Sequence, residues 1–127
     1  MRLLFKLFPV ALLSIVLPKA HAQRRRDLLT ALVNQKVTVA EIKEITLRPN
    51  QAAPKHLHPC PVIGYVVKGR VLFQLERGER VILEEGDTFL EPKGQVVVHF
   101  DNLGQAPATF IAIYLKEGNE ESVKLLD

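Results

Sequence analysis

Two regimes of hydrophobicity divide the chain. Leu7–Leu17 (LFPVALLSIVL) is one apolar stretch broken only by Ser14, whereas from Gln23 onward apolar residues come in short clusters closed off by Gly, Pro or charged residues. Val37–Leu47 is rich in β-branched residues, and Val62–Val67 runs through Lys68-Gly69 into Val71–Leu75. Arg77-Gly78-Glu79 leads into Val81–Leu83, Glu85-Gly86-Asp87 into Thr88–Leu90, and Pro92-Lys93-Gly94 into Val96–Phe100. After the loop Asp101–Gly104, Thr109–Leu115 is the last such cluster. Short β-rich runs recurring every roughly 8–12 residues between turn formers predict an all-β sandwich or barrel. Leu28–Val33 is read as a further edge strand, and Glu117–Asp127 as a short helix or a disordered end.

The apolar stretch near the start has a different meaning. Arg2 and Lys6 precede it, and Ala20-His21-Ala22 follows it with small residues at the first and third places before Gln23. A basic start, a short apolar centre and an Ala-x-Ala site predict a secretory signal peptide over residues 1–22, cut after Ala22. The stretch is shorter than the roughly 18–20 residues a membrane-spanning helix needs, and Pro9 and Pro18 weaken a helix, so no stable membrane anchor is expected. The mature protein is then secreted or periplasmic. Residues 23–50 are read as N-terminal edge strands, 51–116 as the barrel core and 117–127 as a tail.

Cleavage changes the charge. The whole chain carries 17 Lys+Arg and 14 Asp+Glu, a net +3. Removing Arg2, Lys6 and Lys19 leaves 14 basic against 14 acidic residues, so the mature chain is neutral and offers no electrostatic footprint for nucleic acid. At 127 residues it suits one domain. Its single cysteine, Cys60, rules out an internal disulfide or a four-cysteine zinc site.

Candidate chemistry gathers in Pro54-Lys55-His56-Leu57-His58-Pro59-Cys60-Pro61. In a strand, residues i and i+2 share a face, so His56 and His58 project side by side with Leu57 opposite. Two neighbouring imidazoles are a start for a Zn, Fe, Mn, Ni or Cu site, with two partly exposed histidines at a strand end as the alternative.

His56-x-His58, Gly69 eleven residues on, Gly86-Asp87 and Pro92-x-Gly94 together resemble the two motifs of the cupin superfamily, over about Gln51 to Leu115. The resemblance implies a double-stranded β-helix, or jelly-roll, barrel that is often a homodimer, with any site inside the barrel mouth. It implies two His and a Glu from the first motif and a His from the second as metal ligands. Here the Glu position falls on Val62 and the second His position on Val97, so only His56 and His58 carry over.

Other residues are candidates to complete the shell. His99 lies two positions after Val97 and would keep its face; a register shift would bring it close, and a wet histidine at the barrel rim is the alternative. Cys60 is read as a small packed hydrophobe, with a thiolate metal ligand favouring Zn or Cu, or a substrate contact, as the alternative. Gln95 shares the face of Val97 and could hydrogen-bond a substrate. Glu91, just before Pro92, is read as a solvated turn residue, with an inward carboxylate as the alternative. Gly64 either leaves space beside the histidines or eases strand packing.

Three functions are compatible with this pattern. The first is a divalent transition-metal cupin using His56, His58 and one of His99 or Cys60, with dioxygenase-like or isomerase-like activity implied by the resemblance. The second is a non-catalytic cupin binding a small molecule, its metal site lost or weak. The third is an interaction role in which the Leu-rich N-terminal segment is exchanged between protomers.

Overall fold

The computed structural model describes residue 15 and residues 22–127. The signal peptide expected over residues 1–22 therefore lies almost wholly outside the described residues. Nine strands form and no helix does among the described residues: β1 Val39–Leu47, β2 His56–Leu57, β3 Val62–Lys68, β4 Arg70–Leu75, β5 Val81–Glu84, β6 Thr88–Glu91, β7 Val96–Asp101, β8 Ala108–Lys116 and β9 Lys124–Leu125. They make two antiparallel sheets, ordered β1-β8-β3-β6 and β5-β4-β7-β2-β9. Consecutive strands repeatedly switch sheet, the topology of a jelly-roll barrel.

Period-2 patterning explains the core. Along β8 buried and half-buried residues alternate strictly from Ala108 to Tyr114, so Phe110, Ala112 and Tyr114 face inward. Phe89 and Phe100 meet Phe73 between the sheets and Phe110 packs on both of them, with ring centroids 4.7–5.9 Å apart, in the tilted and edge-on arrangements aromatic rings favour. The chain passes from one sheet to the other at Gly69, whose φ is 88°. A Cβ there would stand 2.9 Å from the Ala108 backbone, so glycine is needed for both conformation and space.

Two local expectations are corrected. Leu28–Val33 forms no strand: Leu28 and Leu32 are exposed, and the Leu28 carbonyl accepts a hydrogen bond from the Thr88 hydroxyl rather than joining a ladder. The tail is neither helix nor disordered end, because β9 pairs with β2, His56 opposite Leu125 and Leu57 opposite Lys124. The open edge of a histidine-bearing two-residue strand supplied a partner that no local pattern in the tail announces.

Candidate metal centre

β2 is only two residues long but lies between β7 and β9, with His56 directly opposite both Val97 and Leu125. The rings of His56 and His58 lie on one face with centroids 5.0 Å apart, and both residues are buried. The turn after β6 fixes this segment, since the Gly94 N–H donates to the His58 carbonyl at 2.8 Å.

The third member is Glu91, at the end of β6. Its carboxylate is buried, with Oε2 2.9 Å from His58 Nε2 and Oε1 4.0 Å from His56 Nε2. One ligand atom from each of the three residues can be chosen so that all lie within 4.8 Å of one another, a group that could bind a metal. Glu91 thus corrects its reading as a solvated turn residue. It stands opposite Val62 on β3, so the carboxylate comes from the strand paired with the expected position. Phe89 and Glu91 share parity on β6 and both are buried; that alternation was the available signal.

Hydrogen bonds orient both rings. His56 Nδ1 faces the Pro54 carbonyl oxygen at 2.6 Å, and His58 Nδ1 faces the Ser122 carbonyl oxygen at 2.5 Å. A carbonyl only accepts, so each Nδ1 carries the proton and donates it, and each Nε2 is turned toward Glu91. Burial pulls the His58 pKa down, but the hydrogen bond and charge of Glu91, helped by the Ser122 carbonyl, outweigh it and hold the pKa above its ordinary value. Tyr114, whose ring lies 5.6 Å from that of His58, has its phenol pushed up to about 12, by burial first and by Glu91 second.

The triad opens onto a cavity of about 190 Å³, where its neighbours include Ile45, Phe100, Phe110 and Tyr114. Three candidates from the sequence lie elsewhere. His99 is half-buried, its Nδ1 2.7 Å from Asp101 Oδ2 and its Nε2 3.4 Å from an Arg80 guanidinium nitrogen. The cause is a bulge in β7: Gln74 opposes His99 and Leu75 opposes Val97, so Val98 is an extra residue and the faces of Val97 and His99 part company. Gln95 is exposed on the turn before β7. Cys60 is fully buried in the apolar core and does not line the cavity; burial first, then the Glu120 charge, pushes its thiol pKa up. The space at Gly64 is filled, since a Cβ there would come within 1.9 Å of the Phe89 ring.

The cupin-domain family pattern matches residues 43–114, more than half of the chain. This chain belongs to the cupin family. No curated protein matches it closely enough to count as a relative. Among solved structures, it resembles a Klebsiella pneumoniae uncharacterized conserved protein with a double-stranded β-helix domain, at 23% identity and TM-score 0.61, over 75% of this chain and 81% of that one. It also resembles a cupin-superfamily sugar phosphate isomerase from Silicibacter pomeroyi, at 22% identity and TM-score 0.58, over 69% of this chain and 57% of that one. The DMSP lyase DddQ from Ruegeria pomeroyi matches at 20% identity and TM-score 0.60, over 68% of this chain and 42% of that one. This cupin therefore spans less than two thirds of either enzyme, and the likeness to all three is one of fold.

Proposed function

We propose that this cupin holds a divalent transition metal through His56 Nε2, His58 Nε2 and the Glu91 carboxylate. One observation carries this reading: His58 is flanked by two acceptors, the Ser122 carbonyl and the Glu91 carboxylate, with no side-chain cation among the cavity-lining residues. Such a site calls for an added positive charge, either a second proton on His58 or a metal ion. Two imidazoles and one carboxylate, with each Nδ1 tied to a backbone carbonyl, are a donor set of catalytic metal-site type, which leaves room for a substrate. A bound metal would supply Lewis-acid or redox chemistry to that substrate. The protein residues bind and orient it, exclude water through the apolar walls, and hold the Glu91 charge beside the reacting end. Dioxygenase-like and isomerase-like activities are the reaction classes proposed.

The test is elemental analysis of the mature protein purified without a histidine tag. Near one equivalent of Zn, Fe, Mn, Ni or Cu is expected, lost in a His56→Ala/His58→Ala variant and retained in His99→Ala. Protein that stays metal-free after incubation with each ion would favour the second reading, a small-molecule-binding cupin without metal. The proposal includes export, checked by a mature N-terminus at Gln23 in intact-mass analysis. It also includes a homodimer, for which exposed Val39 and Ile42 on edge strand β1 offer apolar surface, checked by light scattering.

A further inference from the structure

The cavity wall says more about the ligand than the triad does. Its polar side chains are His56, His58, Glu91 and Tyr114; the rest of the lining is apolar and includes Leu47, Phe100, Phe110, Val123 and Leu125. Among the described residues, no Lys, Arg, Ser, Thr, Asn or Gln lines it. Val123 and Leu125 are 44% and 64% exposed, so an apolar rim leads in from solvent.

Three consequences follow from ordinary physical chemistry. A sugar would bury hydroxyls against walls with no partners for them, which is costly. A dianion would meet Glu91 and no lining cation to balance its second charge, since Lys43, which lies over the Tyr114 ring at 5.0 Å, is outside the lining and already paired with Glu41 at 2.7 Å. The size, about 190 Å³, is that of a molecule with a single ring, since a dry cavity of about 150 Å³ lined by Leu, Ile and Phe takes benzene.

We propose that the cavity selects a small apolar molecule of single-ring size with one oxygen donor, its ring against Phe100 and Phe110 and its oxygen toward His56, His58 and Glu91. This deepens the metal reading and rests on it for the oxygen end. A divalent ion beside one carboxylate leaves one positive charge, which a single ionised oxygen neutralises. The ring end depends on the apolar wall alone.

The probe is 4-fluorophenol, followed by fluorine NMR on the zinc-loaded protein, with fluorobenzene as the probe lacking the oxygen. Both bind, 4-fluorophenol the tighter, and neither oxalate nor inorganic phosphate displaces them. Ala112→Leu puts bulk into the cavity at a wall position that is not one of the triad. It weakens both probes by about tenfold or more, the scale of an added steric group in an apolar pocket, while bound zinc is unchanged. Ala53→Leu, at a half-buried wall position, is the second variant should Ala112→Leu not fold. Displacement by oxalate or phosphate, or full probe affinity in the filled variants, overturns the proposal. Fluorobenzene binding that filling abolishes, in a protein that takes up no zinc, upholds the apolar selection while the metal reading fails.

Discussion

His58 Nδ1 donates to the carbonyl oxygen of Ser122, 64 residues further along the chain. Ser122 precedes β9, whose side chains Lys124 and Leu125 are exposed and whose pairing with β2 is only two residues long. A candidate ligand buried in the barrel is thus aimed by a segment with little packing of its own. Ending the chain at Asn119 should leave the two sheets folded, as judged by circular dichroism, but lower zinc affinity by about 10–100-fold, the scale of losing a group that orients a metal-bound histidine. Ser122→Ala keeps the carbonyl and loses only the long hydroxyl contact to Glu41, so it should lose far less affinity than the shortened chain in the same competition titration. Wild-type affinity in the shortened chain would show that the tail does not position the ring.

Glu91 and Val62 face each other across β6 and β3, and both are buried. Facing residues on an antiparallel pair have Cβ atoms about 4.5–5.5 Å apart, so a carboxylate from either strand reaches nearly the same space. Glu91→Val should abolish zinc binding. Moving the acid across the pair, Val62→Glu with Glu91→Val, should restore a measurable part of it. A double variant as empty as the single one would mean that the β6 position, and not merely an inward carboxylate, is required.

These positions also show what the chain discloses about itself. Turn residues at Lys68-Gly69, Gly86-Asp87 and Pro92-x-Gly94 marked the strand boundaries, because backbone conformation there depends on the local residue type. His56 and His58 were legible because parity holds over two residues. His99 was not, because parity fails at a bulge and the extra Val98 looks like any other β-branched residue. Glu91 was half legible: its alternation with Phe89 pointed inward while the adjacent Pro92 pointed to a turn. The role of Ser122 was out of reach, since a backbone carbonyl can come from any residue.

Gly64 bears on stability rather than chemistry. It faces Phe89 across β3 and β6, and the Phe89 ring lies over it, boxed in by Phe73, Phe100 and Phe110 at centroid distances of 5.1–5.9 Å. A methyl group at 64 cannot be accommodated by turning a ring so confined. Gly64→Ala should cost about 1–3 kcal/mol in urea unfolding, the usual range for overpacking a filled core. Adding Phe89→Leu should return part of that loss. Strict additivity of the two substitutions would argue against a direct contact.

Acid should loosen the β1–β8 edge before it unfolds the barrel. Hydrogen bonds from Lys43 first and Lys116 second hold the Glu41 carboxyl down to about 2. Glu41 also accepts from the Ser122 hydroxyl at 3.4–3.5 Å, so it ties the β1–β8 edge to the segment that aims His58. A carboxyl with a depressed folded-state pKa contributes stability above its unfolded value of 4.5, and that contribution fades as pH falls toward 2. The Thr38 amide, which donates to the Lys116 carbonyl, reports on that edge. Its hydrogen-exchange protection factor should fall between about pH 5 and pH 2, while core amides such as that of Phe110 keep theirs. Glu41→Gln should show the weaker protection already at the higher pH and change little on acidification. The same pH dependence in Glu41→Gln as in wild type would place the acid-sensitive latch on another carboxylate.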